Sequence, residues 1–277
     1  MAFSGLHDEL PLMKTIINSI TEKKLTPDLI ITAGDIGADI LLDVLEGLST
    51  FGIPIAFVGG NWELDQEVLK KASELTQVYH ISKEGCTYDV FDFIGQDAWK
   101  NFTNDKSIDD RRYDDLKSKW ERGKSDNFVL VTHHPPLGIF DRGSGDSRYS
   151  WKDNRGRLHG GSYGIRKFVE EHPPTIHIFA HLHSDGGKWI STEKTLFTNV
   201  SYVGRKTRKG VSGINGSFMM IDTDEMLCVP HHLNTITPKT CICGSIHFLN
   251  YSNCINCFDD GFGLVPYSEL DNLEFIS

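Results

Sequence analysis

The sequence lacks any apolar run of about 20 residues, the length that a membrane-spanning helix needs. Its first residues also lack the basic, apolar and small-residue segments of a secretion signal. Basic residues are outnumbered, and the net charge of −10 argues against a protein that binds nucleic acid irrespective of its sequence. These absences predict a cytoplasmic protein with no membrane partner.

Cysteine is scarce until the end of the chain, where four of the six cysteines fall. Cys241 and Cys243 form one pair, and Cys254 and Cys257 form another. Such clustering without an export signal favours metal over disulfides, and four thiolates suit one structural zinc ion in a small ribbon-like module. A reactive dithiol, an unoccupied pair and His247 in place of one thiolate are the alternatives.

Short apolar segments alternate with amphipathic ones, which predicts βαβ units and a buried sheet. We expect strands at 2–4, 28–33, 53–58, 87–94, 128–132, 175–180, 196–200 and 218–222, and helices at 12–25, 40–48, 64–75, 111–121 and 163–171. These elements predict a four-layer α/β/β/α sandwich of two mixed sheets. Residues 141–162 show neither the helical nor the strand periodicity of apolar residues, and we expect them to form a functional loop.

Three units are expected along the chain. The sandwich would cover residues 1–232 and the Cys-rich module residues 238–260. Residues 261–277 mix apolar and acidic side chains, so we expect this tail to pack against the rest of the protein.

Five motifs place metal-ligand side chains where predicted strands end, the edge at which open α/β sheets bind ligands. They are Gly5-Leu6-His7, Gly34-Asp35, Gly60-Asn61-Trp62-Glu63, Thr132-His133-His134-Pro135-Pro136 and Ala180-His181-Leu182-His183. Each motif is weak alone, but their order, spacing and repeated placement favour a shared site. In order and residue type they resemble the calcineurin-like metallophosphoesterases, over about residues 2–223.

The resemblance implies hydrolysis of a phosphomonoester or phosphodiester by a hydroxide that bridges two divalent transition metals, Mn, Fe or Zn. Asp35 would bridge the two metals. The other implied ligands are Asn61, His133 and His181 for one metal, and His7 and His183 for the other. The implied contacts to a phosphate-ester substrate, with a nucleotide or nucleic-acid end among the candidates, are Asn61, Trp62 and Arg166.

Gly5 departs from the family pattern, which has an aspartate at this position. One metal is therefore expected to bind more weakly, because a hard anionic ligand is missing. Asp8 and Glu9 are the nearest carboxylates that could substitute, although the chain direction disfavours them.

Trp62 is the second departure, since the family has a histidine there. Indole cannot titrate, so Trp62 cannot act as a general acid, and we expect it to form a hydrophobic wall beside the metals. His134 and His159 are the candidate catalytic residues that would replace the lost ring. The alternative for each is a loop histidine without a role.

Three functions fit these observations. The first is a metal-dependent phosphoesterase, the second a catalytically degenerate phosphoesterase fold that binds a phosphate-bearing ligand or a partner, and the third a zinc-ribbon adaptor. The six surviving ligand positions favour the first, while Gly5 and Trp62 favour the second. Basic residues before and after the last His motif favour an anionic substrate, and they are Arg142, Arg148, Lys152, Arg155, Arg157, Arg166, Lys167, Arg205, Lys206, Arg208 and Lys209.

Overall fold

A computed structural model describes residues 1–8, 10–63, 65–99, 106–123, 125–142, 150–153, 156, 158–201, 217–232, 239–240, 246–247, 265 and 267–276. The α-helices are α1 (Leu10–Glu22), α2 (Leu41–Ser49), α3 (Gln66–Ser73), α4 (Lys106–Gly123) and α5 (Tyr163–Glu171). The strands are β1 (Ala2–Phe3), β2 (Ile30–Ala33), β3 (Ile55–Val58), β4 (Val78–His80), β5 (Cys86–Tyr88), β6 (Phe91–Gln96), β7 (Phe128–Thr132), β8 (Ser150–Lys152), β9 (Leu158–His159), β10 (Ile176–Phe179), β11 (Trp189–Ser191), β12 (Leu196–Asn199), β13 (Ser217–Asp222), β14 (Leu227–His232), β15 (Lys239–Thr240), β16 (Ile246–His247) and β17 (Glu274–Ile276).

Two six-stranded sheets form the centre of the protein. Their strand orders are β14-β13-β1-β2-β3-β4 and β11-β12-β10-β7-β6-β5. Strands β1 to β4 run parallel, as do β6, β7, β10 and β12, whereas the strands at the remaining edges pair antiparallel. Both sheets are therefore mixed, as the sequence predicts.

The sheets pack face to face through an apolar core. Ile31, Ala56 and Val58 from the first sheet meet Val131 and Ile178 from the second. A second cluster packs α1, α2 and α3 on the outer face of the first sheet, and a third packs α4 and α5 on the outer face of the second. The predicted four-layer α/β/β/α sandwich is confirmed.

Helix α2 shows why the amphipathic segments fold this way. Its buried residues Leu41, Val44, Leu45 and Leu48 recur at intervals of three and four, so they form one apolar stripe that faces the sheet. Ser162 caps helix α5 at its N-terminus, because its side chain accepts a hydrogen bond from the backbone N–H of Ile165 and so stabilises the first turn.

Two predictions of local structure were wrong. The single strand expected over 87–94 is a hairpin of β5 and β6, which turns at Asp89 with a φ of 53°. The loop expected over 141–162 contains β8 and β9, and β8 pairs antiparallel with β17 from the far end of the chain. Such a distant partner leaves no local signal, which explains the error.

The C-terminal tail packs against the sandwich, as predicted. Val265 and Leu270 are buried against Leu137, and Phe275 of β17 pairs with Trp151 of β8. The four clustered cysteines lie outside the described residues, so the ribbon-like module and the three-unit division remain predictions. Within the described segments, none of the helices has the length and apolarity required to span a bilayer.

Candidate metal centre

The five motifs follow β1, β2, β3, β7 and β10, at the carboxyl ends of parallel strands. Backbone hydrogen bonds continue beyond the strands and align the loops. The N–H of His7 donates to the carbonyl of Asp35 at 3.0 Å, and the N–H of Ala180 donates to the carbonyl of His133 at 3.1 Å. Ser4 and Ser201 form a bridge between the sheets at the same edge. The sandwich thus brings all five motifs together.

Two groups of metal-ligand side chains share one carboxylate. His7, Asp35 and His183 form the first group, and Asp35, His133 and His181 form the second. Within each group the potential ligand atoms lie within 4.8 Å of one another. This arrangement suits two cations on either side of Asp35.

In the first group, the two imidazoles direct the same atom at each other. The Nε2 atoms of His7 and His183 lie 2.9 Å apart, and the ring centroids are separated by 5.0 Å. Asp8 belongs to neither group, and its carboxylate lies beside Gly37 instead. The first group therefore offers three ligands among the described residues.

In the second group, a backbone carbonyl orients the central histidine. The Nδ1 of His133 lies 2.8 Å from the carbonyl oxygen of Ala33, so Nε2 faces the site, 3.4 Å from Asp35 Oδ2. The amide of Asn61 lies 2.9 Å from His133 Nε2 and 3.2 Å from His181 Nδ1. A hydrogen bond from the other ring nitrogen to a backbone carbonyl, such as the one between His133 Nδ1 and Ala33, typically fixes the tautomer of a metal-binding histidine.

The backbone is strained at the centre. Residues His7, Asp35 and His181 have φ values of 50°, 56° and 70°, in a region that non-glycine residues seldom adopt. Each such residue costs on the order of 1–3 kcal/mol and persists only where the surroundings enforce it. Strain at three of the five residues in the two groups shows that the surrounding structure fixes the backbone from which these side chains project.

Glycine is required where the loops after β2 and β3 touch. A Cβ on Gly60 would lie 2.1 Å from the backbone nitrogen of Asp35, and a Cβ on Gly34 would lie 2.5 Å from the backbone nitrogen of Gly60. Any larger residue at either position would push Asp35 and Asn61 apart. This contact explains the glycine that precedes each of the two ligands.

Glu63 ends the third motif and is buried, and its role could not be inferred from the sequence. Its Oε2 accepts hydrogen bonds from the backbone N–H groups of Asp35 at 2.9 Å and Gly60 at 2.7 Å, and its Oε1 accepts one from Gly37. One carboxylate thus ties together the loops that carry Asp35 and Asn61. Its place within the third motif was the feature of the sequence that indicated a part in the site.

Asn199 is a second residue that the sequence analysis did not single out. It is buried at the end of β12, and its amide nitrogen donates to the carbonyl oxygens of Phe140 and Leu182, each at 3.2 Å. Because Leu182 lies between His181 and His183, Asn199 positions the loop that supplies a ligand to each group.

The electrostatics favour the metal-binding forms of Asp35 and His181 but not that of His133. Burial alone would lower the pKa of His133, but the Asp35 carboxylate outweighs it and raises that pKa, which favours a protonated imidazole until a cation displaces the proton. Burial alone would raise the pKa of Asp35, but the neighbouring His133, His181 and His7 outweigh it and hold that pKa well below its usual range. Burial, together with His133, lowers the pKa of His181 to about 3, so its imidazole is neutral at physiological pH. Ionised carboxylate and neutral imidazole are the metal-binding forms.

A family model described as calcineurin-like phosphoesterase matches residues 1–185, a stretch that contains every residue of the two groups. The chain belongs to this family. Calcineurin-like phosphoesterases act on phosphate esters and typically bind divalent metals. The family assignment made from the five motifs is confirmed.

Two relatives illustrate the range of the likeness. UPF0046 protein K07C11.7 of Caenorhabditis elegans is 31% identical over 129 residues, which are 46% of this chain and 39% of that protein. The chain therefore matches well under half the length of this relative. The crystal structure of TT1561 of Thermus thermophilus is 12% identical with a TM-score of 0.58, over 84% of this chain and 97% of that one. At this identity the likeness supports the fold alone.

The two candidate catalytic histidines of this calcineurin-like phosphoesterase lie in different surroundings. His134 is buried, with its ring centroid 4.5 Å from that of His181 and 5.4 Å from that of His133. His159 is fully buried, and its Nδ1 lies 2.8 Å from Asp141 Oδ1. His134 therefore adjoins the second group, whereas His159 forms an internal pair that joins β9 to the loop after β7.

Arg166 lies inside the protein. Its guanidinium donates to the carbonyl oxygens of Leu137 at 3.0 Å and Val265 at 2.9 Å, and to Glu170 at 2.7 Å. The side chain is nearly inaccessible to solvent. These bonds engage the guanidinium with the tail and the loop after β7, so they do not favour the expected contact between Arg166 and substrate.

Proposed function

We propose that the chain hydrolyses phosphate esters at a two-metal centre built around Asp35. The observation that carries the proposal is the sharing of Asp35 by both three-residue groups. A single buried carboxylate between two imidazole sets is what a pair of closely spaced cations requires. Two such cations, when bound, supply an activated nucleophile at neutral pH and neutralise charge on the phosphoryl oxygens.

The residues fit divalent transition metals. Imidazole nitrogen with carboxylate and amide oxygen suits Mn, Fe and Zn. The hydrogen bonds of Glu63 and the contact between Gly34 and Gly60 hold Asp35 and Asn61 in place in advance. His133, His181, Asn61 and Asp35 would hold one metal. His7, His183 and Asp35 would hold the other.

The two metals are expected to bind unequally. Gly5 contributes no side chain, and its backbone N–H donates to the carbonyl of Gly34 at 3.2 Å. Among the described residues, the group that contains His7 thus has one ligand fewer than the group that contains His133, which also has the Asn61 amide. This deficit is also the observation that favours the second candidate function, a degenerate fold that binds a phosphate-bearing ligand without cleaving it.

The test combines metal content with hydrolysis of a generic aryl phosphodiester in the presence of Mn(II). The parent protein should bind two cations per centre and turn over, and Asp35→Asn should abolish both. Asp43→Asn, an exposed aspartate on α2, is the control and should change neither. Turnover by Asp35→Asn at the parent rate would refute the proposal, while one tight metal without turnover would favour the degenerate function.

A structural zinc ion bound by Cys241, Cys243, Cys254 and Cys257 is proposed separately from this chemistry. A closed tetrathiolate site has no open position for a substrate, so its role would be to stabilise a small module. Elemental analysis should therefore find one zinc per chain that survives in Asp35→Asn. Loss of that zinc together with the Asp35 carboxylate would contradict two separate sites.

A further inference from the structure

Trp62 lies beside the first metal group. Its backbone N–H donates to Asp35 Oδ1 at 3.2 Å, so the residue is tied to the shared carboxylate. Its ring centroid lies 4.8 Å from that of His7, with an interplanar angle of 72°. A phosphate held at this centre would therefore have the indole as an immediate neighbour.

The indole is nevertheless open to solvent. Trp62 is 46% exposed, and among the described residues only three other large hydrophobic side chains are comparably open to solvent. The other three are Tyr79, Val90 and Val229, none of which belongs to the two metal groups. A single exposed hydrophobic residue is not unusual, but this one is fixed beside the proposed binding centre, so its ring is accessible to a ligand held there.

The chemistry of indole limits what that contact can be. The ring offers an aromatic face and one N–H donor, and it has no proton to transfer at any physiological pH. Aromatic side chains beside a phosphate site bind bases by stacking, which contributes about 1–3 kcal/mol per base. The backbone hydrogen bond fixes the main chain of Trp62 and the contact with His7 restricts its ring, which lowers the entropy lost when a ligand stacks.

We infer that Trp62 is a stacking platform that selects phosphate esters carrying a planar aromatic group, either a nucleobase or an aryl ring. The inference rests on the proposed two-metal centre, which would hold the phosphate while Trp62 contacts the attached ring. It deepens that proposal by assigning the substrate class to one side chain. A planar substituent would gain affinity from Trp62, whereas a sugar phosphate would not.

Binding can be measured without turnover by using phosphonate analogues. The full chain loaded with Mn(II) is titrated calorimetrically with the phosphonate analogues of AMP, phenyl phosphate and ribose 5-phosphate, and with inorganic phosphate. The AMP analogue should bind about 5- to 150-fold more tightly than the ribose 5-phosphate analogue, the factor that corresponds to one stacked base. Comparable tightening by the phenyl analogue would show that any aromatic plane suffices.

Three variants isolate the indole. Trp62→Ala should remove the preference for the planar analogues while leaving inorganic phosphate affinity unchanged, and Trp62→Phe should retain part of it. Tyr79→Ala removes an aromatic residue of similar exposure on β4 and should change nothing. Quenching of tryptophan fluorescence by the AMP analogue provides a second readout, and it should diminish in Trp62→Phe.

Three results would overturn the inference, and they are distinguishable. If inorganic phosphate binds but the parent protein does not prefer the planar analogues, the stacking platform is refuted and the metal centre stands. If neither Mn(II) nor phosphate binds, both proposals fail together. Equal loss of phosphate and AMP-analogue affinity in Trp62→Ala would show that the indole only supports the fold, and would also refute the inference.

Discussion

Replacing Glu63 with glutamine tests whether this carboxylate holds the centre together. Glutamine keeps one acceptor oxygen but turns the other into an N–H₂ donor that faces backbone donors. Two of the three N–H groups share Oε2, so one or two hydrogen bonds are lost. Hydrogen bonds to a charged group contribute about 1.5–3 kcal/mol each, so we expect a loss of roughly 2–6 kcal/mol in the free energy of unfolding.

The assay is urea unfolding in EDTA, followed by Mn(II) titration of the folded protein. Because the Glu63 carboxylate acts on Asp35 through its backbone, Mn(II) affinity should fall about 10–100-fold, as for other residues that orient metal ligands. Glu67→Gln, an exposed glutamate on α3 that pairs with Lys71, is the control and should stay within about 0.5 kcal/mol of the parent. A Glu63→Gln variant with parental stability and parental Mn(II) affinity would refute this reasoning.

Three further predictions concern other parts of the chain. Gly5→Asp should raise the affinity of the weaker site in a Mn(II) titration. Gly52→Asp is the control, since Gly52 also has a positive φ but has open space around it, and it should leave metal binding unchanged. Equal Mn(II) affinities in the two variants would contradict the role assigned to position 5. Burial lowers the pKa of His177 to about 3, so the folded state excludes a proton that the unfolded chain takes up as the pH falls below about 6.5. Between pH 7 and pH 5 this linkage destabilises the parent by about 2 kcal/mol, and urea unfolding of His177→Leu in EDTA should lack that loss; identical pH dependence would contradict it. Arg166→Met should raise amide exchange in residues 267–276 without changing affinity for the phosphonate analogues, and a fall in that affinity would restore Arg166 as a substrate contact.

The layers of the fold were predictable because their signals are local. Buried parallel strands such as β7 are continuous apolar runs, and α2 shows apolar residues on one helical face. Both patterns arise within a few residues of chain. The pairing of β8 with β17 depends on residues more than a hundred positions apart, so the sequence around Trp151 does not predict it.

The candidate site was predictable to the extent that its residues follow strands. His133 and His181 could be assigned to one edge because parallel strands end together. Glu63 and Asn199 act through backbone groups of other loops, and these contacts exist only after the sheets have packed. The internal bonds of Arg166 depend on the docked tail in the same way, which explains why its side chain was expected to face a substrate.

The strained backbone of the centre links its geometry to its metal affinity. Strain of about 1–3 kcal/mol at each of His7, Asp35 and His181 would relax if the loops were free. The hydrogen bonds of Glu63 and the close contact of Gly34 with Gly60 oppose that relaxation, so the cost is met by folding and not by metal binding. A cation bound by the second group would therefore find its ligands already arranged. The first group shares this preorganisation, but among the described residues it has no counterpart of the Asn61 amide, so weaker binding there would follow from ligand number alone.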